Sequence, residues 1–320
     1  MKGVVFTYDR GLELRTFDDP SPGPNDVVVQ IKASGMCGSD LKFYRATAEE
    51  ARKLGFTAAT PVIAGHEPCG IVVETGSNVD AKQARVGQRV MVHHYRGCGA
   101  CPHCSTGWQQ LCNEGVAEVY GVTGHGAHAQ YMKCPANTLV HLPDDLSYET
   151  GAAISCGTGT AWGALKRVDL AGDQTIAIFG QGPVGLSATQ LANALGARVI
   201  ALDVSPTRLA RAKEFGAHEV INPLETDPVA AIRQLTGGLG AHATLDASSS
   251  ADARRQCVQS VRTWGKACLV GEGGQMTLDV SPDLLRRQVT LIGSWTFSRN
   301  GQAECAQFIA AKHIDVDGLF

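Results

Sequence analysis

The first part of the chain, up to about residue 150, carries short apolar or alternating runs separated by Gly and Pro. Examples are DVVVQIKA at 26–33, CGIVVETG at 69–76 and RVMVHH at 89–94. Runs of this length between turn-forming residues are typical of strands, and helical periodicity is weak here. The pattern therefore predicts a β-rich first domain.

The pattern changes near residue 160, where apolar strands begin to alternate with helical stretches. Helices are predicted, for example, from Pro183 to Leu195 and from Pro206 to Phe215, and strands at 175–180, 198–203, 242–247, 266–271 and 289–295. Strands joined by helices of that length build a parallel sheet from βαβ units. The predicted fold class is α/β, a doubly wound parallel sheet that follows the β-rich domain.

Length and composition indicate two ordinary globular domains. A chain of 320 residues exceeds the usual size of one domain, and 44% hydrophobic with 18% charged residues is a normal balance. A net charge of −3 and the lack of a run of 18 or more apolar residues give no reason to expect nucleic acid or a membrane as a partner. Eleven cysteines without a secretion signal indicate a reducing compartment, so we expect a cytoplasmic protein.

Four cysteines within fifteen residues form the most specific chemical motif, Cys98-x2-Cys101-x2-Cys104-x7-Cys112. Turn-forming glycines around the first cysteine allow four thiolates to close a tetrahedral shell around one zinc ion. Such a shell leaves no position for water or substrate, so the predicted metal is structural. Free thiols or disulfides are the alternative interpretation.

A glycine-rich turn follows the strand predicted at 175–180 and leads directly into a helix. In that setting GxGxxG lets a pyrophosphate approach backbone amides at the positive end of the helix. Asp203 ends the next strand, where a carboxylate binds ribose hydroxyls and repels a 2′-phosphate, so NAD is favoured over NADP. Arg208 lies close enough to weaken that preference, and a structural turn with a surface Asp is the alternative. The predicted cofactor residues of this segment are Gly180, Gly182, Pro183, Val184, Gly185, Asp203 and Arg208.

Two further segments of the first domain carry zinc-ligand types in glycine-flanked turns. One is Gly-Met-Cys37-Gly-Ser39-Asp40 and the other is Gly-His66-Glu67. A thiolate and an imidazole suit a zinc site with fewer protein ligands than the four-cysteine shell. Either segment alone is more often a turn with a buried Cys or His, but here both accompany the glycine motif and the cysteine cluster.

These four motifs in this order resemble the zinc-containing alcohol dehydrogenases of the medium-chain dehydrogenase/reductase superfamily. The likeness extends from the first residues to about residue 300. It implies a GroES-like catalytic domain, a Rossmann cofactor domain and a cleft between them. On that basis we expect the catalytic domain at 1–158 and 296–320 and the Rossmann domain at 159–295.

The resemblance implies a role for each matching residue of the first domain. Cys37, His66 and Cys156 would be ligands of a catalytic zinc, with Glu67 as a neighbouring carboxylate that binds the metal transiently. Some polyol-type members use a carboxylate ligand instead, and its absence here favours Cys156 as the ligand. A plain buried thiol is the alternative for Cys156. The open fourth position would bind the substrate oxygen and lower its pKa. Two further matches are Ser39, which would accept the alcohol proton, and Asp40, which would orient the histidine ligand.

Several weaker matches concern the substrate and the nicotinamide. His94 corresponds to a residue that lines the substrate pocket, and Trp295 follows the last Rossmann strand; for both, a packed core or interface position is the alternative. Thr160, Val184 and Val270 match positions at the cofactor. The other cysteines, at 69, 134, 257, 268 and 305, show no ligand pattern and are expected to be buried thiols.

The chain departs from the family in two places. Many members carry a histidine that ends a proton relay where this chain has Lys42. A lysine amine is protonated at neutral pH and is a poor shuttle, so we expect water to replace it or Lys42 to contact phosphate or solvent. The family also adds a few elements after a segment like HIDVDGLF, and we expect a C-terminally shortened catalytic domain.

The leading hypothesis is a zinc-dependent oxidoreductase that transfers a hydride between NAD(H) and a small or medium secondary alcohol or its carbonyl. The alternatives are threonine- or sorbitol-dehydrogenase-like oxidation and a non-catalytic NAD-binding protein. The latter would have no use for an open metal site. We expect a homodimer or homotetramer, because the apolar strand at 289–296 often pairs edge to edge in the family.

Overall fold

A computed structural model describes residues 1–53, 61–116 and 118–319 of the chain. The described residues form two compact units, 1–159 with 298–311 and 160–297 with 312–319. The expected domain boundaries differ from this division in assigning residues 312–320 to the first domain. Residues 312–319 belong to the second unit because they pack on its helices: the Gln190 amide donates to Asp315 O at 2.6 Å, and Arg211 donates to Gly318 O.

The first unit is built mainly from strands. Their bounds are β1 Lys2–Tyr8, β2 Gly11–Thr16, β3 Asp26–Ser34, β4 Pro68–Thr75, β5 Arg89–Val92, β6 Tyr95–Arg96, β7 Glu118–Val119, β8 Tyr131–Pro135 and β9 Leu139–His141. Five of them form an antiparallel sheet in the order β8-β3-β4-β5-β9, whereas β1 pairs with β2 and β6 with β7. Val27 and Val29, two residues apart on β3, pack in its core with Val72, Val90 and Val92.

Short helices supplement these strands. They are α1 Gly38–Arg45, α2 Ala48–Lys53, α3 Pro102–Ser105 and α4 Tyr148–Ile154, followed by α5 Gly157–Val168. The first four have eight residues or fewer, so the sequence pattern, which samples two turns or more, showed little periodicity here. Of these helices, α1 and α4 begin at a side-chain cap, supplied by Cys37 and Ser147.

The second unit contains the predicted doubly wound parallel sheet, which is confirmed. Its strands are β10 Thr175–Phe179, β11 Arg198–Leu202, β12 Glu219–Ile221, β13 Ala241–Asp246, β14 Val261–Leu269 and β15 Thr290–Gly293. The order β12-β11-β10-β13-β14-β15, all parallel, is the 3-2-1-4-5-6 order of dinucleotide-binding domains. Five of the six strands coincide with the predicted ones. The short β12, three residues long, was not predicted.

The remaining helices alternate with these strands. They are α6 Pro183–Ala194, α7 Pro206–Glu214, α8 Pro228–Leu235, α9 Ala251–Ser260 and α10 Val280–Asp283. The last helix, α11 Arg299–Lys312, follows β15 and belongs to the first unit up to residue 311. Ile232 of α8 and Val258 of α9 are fully buried against the strand residues Phe179, Ile200 and Leu202. Among the described residues, no helix is long and apolar enough to cross a lipid bilayer.

Candidate active site

The first candidate ligand, Cys37, is held by the start of helix α1. Cys37 is the N-cap residue, its Sγ accepts a hydrogen bond from Ser39 N at 3.3 Å, and Asp40 accepts one from Cys37 N at 2.9 Å. This reciprocal arrangement is a capping box in which a thiol replaces the usual hydroxyl. The segment Cys-Gly-Ser-Asp therefore fixes the direction of the sulfur through local backbone geometry.

The imidazole of His66 lies between Cys37 and Asp40. Its Nε2 is 3.1 Å from Cys37 Sγ and its Nδ1 is 3.1 Å from Asp40 Oδ1. His66 is 5% exposed and Asp40 is fully buried. The carboxylate beside Nδ1 orients the ring, so Nε2 is the ring nitrogen that faces the sulfur.

Cys156 and Glu67 complete the cluster. One ligand atom from each of Cys37, His66, Glu67 and Cys156 lies within 4.8 Å of the others. Gly35 makes room for the buried carboxylate, because a Cβ at that position would overlap Glu67 Oε2. Cys156 directly follows the last turn of helix α4, where its N–H donates to Ala153 O at 3.2 Å.

The pKa shifts in the cluster show that several groups able to carry a negative charge are crowded at one buried position. A hydrogen bond from Cys156 and contact with His66 lower the pKa of Cys37 to about 4, although burial opposes this shift. Burial disfavours charge on His66, but Asp40 and Cys37 hold its pKa well above the usual range. Burial and the neighbouring Cys37 charge raise the pKa of Glu67 to about 8. A divalent cation would relieve the repulsion among these anionic groups.

The donor set fits a zinc ion with incomplete protein ligation. Two sulfurs, an imidazole nitrogen and a carboxylate oxygen are the ligand types that zinc takes in proteins, and the His66–Asp40 pair supplies the usual support behind a histidine ligand. If Glu67 withdraws, three ligands remain and one coordination position is open.

Two other predicted residues lie on helix α1. Ser39 is half-buried in the first turn of α1, and its backbone N–H donates to the sulfur of Cys37. Lys42 is exposed in the next turn. Its side chain is therefore available to solvent.

His94 lies beside the metal cluster. Its ring centroid is 5.4 Å from that of His66 in an edge arrangement, and its Nδ1 is 2.9 Å from Ser155 O. A carbonyl partner requires Nδ1 to carry the proton, so Nε2 of the neutral ring is an acceptor. Burial, together with the charge of His66, keeps the pKa of His94 well below its ordinary value.

The four-cysteine motif forms a second cluster, whose sulfur atoms all lie within 4.8 Å of one another. Cys98 Sγ is 4.0 Å from Cys104 Sγ, and Cys101 Sγ is 3.9 Å from Cys112 Sγ. A disulfide requires about 2.05 Å, whereas a tetrahedron with Zn–S bonds of about 2.3 Å has edges of about 3.8 Å. The geometry therefore fits a closed zinc shell and not a disulfide framework.

Backbone amides stabilise thiolates in this cluster. The N–H groups of Ala100 and Cys101 donate to Cys98 Sγ at 3.5 and 3.3 Å, and they lower the pKa of Cys98. Gly99, between Cys98 and Ala100, has φ +79°, a backbone conformation that would be strained with any side chain. The knuckle therefore depends on its glycine as well as on its cysteines.

In the second unit, the three motif glycines have different surroundings. Gly180 has φ +88°, and a Cβ there would meet Ser248 at 3.0 Å. A Cβ at Gly185 would overlap Gly180 O, whereas at Gly182 it would meet no atom within 4 Å. Two glycines thus serve the turn itself. The third leaves free space at the N-cap of α6, where exposed Pro183 follows as the first helical residue.

Asp203 lies next to this turn. Its Oδ2 accepts a hydrogen bond from Gln181 N at 2.7 Å and its Oδ1 accepts one from Ser205 N at 2.9 Å. Arg208 Nη1 is 3.7 Å from the same carboxylate and is largely exposed. The structure therefore brings both residues to the glycine turn, with the carboxylate ordered by backbone amides.

The other predicted cofactor and pocket residues occupy varied positions. Val184 is half-buried in the first turn of α6, and Thr160 is buried within α5. Val270 N donates to Asp246 O at 2.9 Å at the carboxyl end of β14, the sheet edge that also carries the glycine turn. Trp295 follows β15 at that edge and is 48% exposed.

Sequence reasoning missed several residues that support the first cluster. Ser155, Gln302 and His93 are buried polar residues near Cys156 and His94, and Gly35 accommodates Glu67. Gly35 stands in the motif that was recognised, so its small size was a usable signal. Gln302 is far away in the sequence, and no local pattern connects it with the cluster.

Two family models match the chain: "Alcohol dehydrogenase GroES-like domain" over residues 23–144 and "Zinc-binding dehydrogenase" over residues 183–311. The chain therefore belongs to the zinc-containing alcohol dehydrogenases of the medium-chain dehydrogenase/reductase superfamily. The expected GroES-like domain and the zinc and NAD cofactors are confirmed. The chain is thus a zinc-type alcohol dehydrogenase-like oxidoreductase that acts on a small molecule.

The relatives differ in what their names state. The chain is 39% identical to an uncharacterized zinc-type alcohol dehydrogenase-like protein of Escherichia coli, over 96% of this chain and 88% of that protein. It is 32% identical to the sorbitol dehydrogenase of Bacillus subtilis, over 100% of this chain and 88% of that enzyme. The structure of acetophenone reductase from Geotrichum candidum in complex with NAD matches with a TM-score of 0.81 and 28% identity, over 98% of this chain and 88% of that one.

Proposed function

We propose that this protein catalyses NAD-dependent oxidation of a small or medium secondary alcohol to its ketone, and the reverse reduction. The carbinol hydrogen leaves with two electrons as hydride to the nicotinamide, and the hydroxyl hydrogen leaves as a proton. The observation that carries the proposal is the meeting of Cys37, His66 and Cys156 around one ion-sized position. A ketone reductase among the structural relatives supports the secondary-alcohol class.

Each residue of the cluster has a distinct task. Cys37, His66 and Cys156 would hold a zinc ion, and Glu67 would supply a further carboxylate beside it. Bound zinc supplies a Lewis acid that lowers the pKa of an alcohol and polarises a carbonyl. Asp40 keeps the His66 proton on Nδ1, which leaves Nε2 as the ligand atom.

Proton release falls to Ser39. Ser39 is half-buried in the first turn of α1, two residues from Cys37, and we assign its hydroxyl to accept the alcohol proton and pass it towards solvent. Lys42 is exposed one turn further on and does not continue a relay of side chains; water takes over there. A variant Ser39→Ala should therefore lower kcat and leave zinc binding unchanged.

NAD is held by the glycine turn of the second unit. The free space at Gly182 admits the pyrophosphate to the N-terminus of α6, with Pro183 and Val184 in the first helical turn. Asp203 binds the adenosine ribose hydroxyls and disfavours NADP, and Arg208 partly offsets this by pairing with the carboxylate. We assign Thr160 and Val184 to the nicotinamide end and Val270 to the cofactor site, as the resemblance in sequence implies.

A second candidate function is polyol oxidation, which His94 favours. The Nε2 acceptor of its neutral ring could take a hydrogen bond from a second hydroxyl of the substrate, which a simple secondary alcohol lacks. A sorbitol dehydrogenase is among the relatives at 32% identity. We assign His94 to the substrate pocket for either class of substrate. Trp295 is a second candidate residue of that pocket.

The discriminating experiment measures NADH formation by the zinc-loaded protein with secondary alcohols, primary alcohols, sorbitol and L-threonine. The proposal expects the highest kcat/KM with a secondary alcohol, and highest turnover of sorbitol would replace it by the second candidate. Cys37→Ser should abolish turnover and reduce bound zinc. Cys134→Ser, a buried cysteine of the same unit in β8, is the matched control and should retain both. Turnover of Cys37→Ser at the wild-type rate would refute the proposal.

The assembly, the location and the domain boundaries stay predictions. A homodimer or homotetramer through β15 is supported by its position at the sheet edge and by its partly exposed Leu291. Light scattering on the purified protein measures this directly. A cytoplasmic location rests on cysteine usage alone.

A further inference from the structure

Helix α11 is anchored to the four-cysteine lobe at its N-terminus. Arg299 N donates to Gly107 O at 2.8 Å, and the Asn300 amide donates to Thr106 O at 3.2 Å. Arg299 Nη1 also donates to Asn137 O at 3.1 Å. These contacts set the position of the helix that carries Gln302.

Gln302, in the first turn of α11, reaches the segment that carries a metal ligand. It is fully buried, and its Nε2 donates to Ser155 Oγ at 3.2 Å. The side chains of Gln302 and Gln110 also lie next to buried His93. One amide thus contacts a polar group on two different segments of the first unit.

Ser155 joins the two turns that carry metal ligands. Its hydroxyl lies 3.1 Å from Pro68 O, directly after Glu67, and 2.9 Å from Gly151 O of helix α4. Its carbonyl binds His94, and the next residue is Cys156. A single hydroxyl proton is shared between two carbonyls, so the amide N–H of Gln302 fills the acceptor side of this oxygen.

We propose that Gln302 is a positioning residue for the catalytic metal centre: through Ser155 it holds the Cys156 turn against the His66–Glu67 turn. It acts through Ser155 and touches neither metal nor substrate. The proposal rests on the proposed function only in that Cys37, His66 and Cys156 bind a metal ion, and not on the identity of the alcohol.

The physical reason is the cost of an unsupported ligand turn. Cys156 follows the end of a helix, where its backbone N–H donates to Ala153 O at 3.2 Å. Loss of the Gln302 amide would leave Ser155 Oγ short of a buried donor and free the turn to shift. Groups behind a ligand typically change metal affinity about 10- to 100-fold when removed.

The test compares Gln302→Met with Gln190→Met. Both replace a buried glutamine by an unbranched apolar chain of similar length, and each removes one amide hydrogen bond. Gln190 lies in the second unit, where it bonds to Asp315 O. The readouts are zinc affinity by competition with a colorimetric chelator and the visible spectrum of cobalt-substituted protein, neither of which requires turnover.

We expect Gln190→Met to retain two zinc ions, each bound as tightly as in the wild type. Gln302→Met should bind one of the two at least about 10-fold more weakly and show an altered cobalt–thiolate band. If Gln302→Met has the same zinc affinity and the same cobalt–thiolate band as Gln190→Met, this proposal is overturned. Wild-type protein that binds a single zinc would instead overturn the proposed function.

A double-mutant cycle with Ser155→Ala tests the route. Because Gln302 acts through the Ser155 hydroxyl, the double variant should lose no more zinc affinity than the worse single variant. Additive losses would show that Gln302 acts by another route and would overturn the assignment. Ser155→Ala retains the backbone carbonyl that binds His94, so the pocket residue stays in place.

Discussion

The three motif glycines allow the demands of folding to be separated from those of NAD binding. At Gly182 the backbone has φ −75° and ψ −171°, which any residue adopts, and an added Cβ meets no atom within 4 Å. Gly182→Ala should therefore fold normally. The same methyl group stands in the space through which the pyrophosphate approaches the helix, so NAD should bind more weakly.

The expected stability change of Gly182→Ala is small because two effects offset each other. Replacing glycine lowers the entropy of the unfolded chain, which stabilises by about 0.4–1 kcal/mol. Alanine is a poorer N-cap than glycine by a comparable amount, on the order of 0.5–1 kcal/mol. The net change should stay within about 1 kcal/mol, a shift in Tm of no more than about 4 °C.

Gly180→Ala and Gly185→Ala provide the matched contrast. At Gly180 the left-handed backbone costs about 1–2 kcal/mol with a side chain, before the close contact with Ser248 is counted. At Gly185 the Cβ meets the backbone oxygen of Gly180, which no rotamer change relieves, so overpacking adds about 1–3 kcal/mol or more. Both variants should lose stability without NAD present.

The assay is thermal unfolding with and without NAD, together with calorimetric titration of NAD. An NAD concentration of 100 times the wild-type Kd stabilises the folded protein by about 2.7 kcal/mol. If Gly182→Ala weakens binding tenfold, the same concentration adds only about 1.4 kcal/mol. This division of roles would be refuted if Gly182→Ala bound NAD with wild-type affinity. It would also be refuted if the Tm of Gly182→Ala without NAD were as low as that of Gly185→Ala.

Three further predictions concern the first unit. Asp40→Asn leaves one acceptor for both the Cys37 N–H and the His66 ring, so zinc affinity and kcat/KM should fall about 10- to 100-fold; unchanged chelator competition would contradict the role of Asp40. Cys104→Ser should reduce zinc from two ions to one per chain by metal analysis and lower Tm by about 2–4 °C for each kcal/mol lost, whereas two retained ions would exclude the closed shell. Burial lowers the pKa of His93 to about 4, below the ~6.5 of an exposed histidine. The neutral buried ring therefore contributes fully to the free energy of unfolding above about pH 6.5, and this contribution is lost as the pH falls towards 4. In urea titrations at several pH values, His93→Gln should therefore remove up to about 3 kcal/mol of the decrease in unfolding free energy at low pH. The same dependence of unfolding free energy on pH in both proteins would contradict this prediction.

Local sequence determined the parts of this protein whose geometry is set within a few residues. The four cysteines close their cluster within one loop, and the glycine turn lies between a strand and the helix that directly follows it, so spacing was sufficient to predict both. The alternation of strands and helices predicted the parallel sheet for the same reason, except for β12, whose three residues carry too little pattern. Cys156 was expected from a family likeness, since nothing local distinguishes it from a buried thiol.

Only the tertiary structure decided which distant residues meet. Cys37, His66 and Cys156 come from three segments far apart in the chain, and the order of strands in the sheet is a matter of long-range pairing. The contact of Gln302 with Ser155 depends on helix α11 docking on the cysteine lobe. Hydrogen bonds between remote segments follow from how the whole unit packs, and sequence periodicity carries no information about which partners that packing selects.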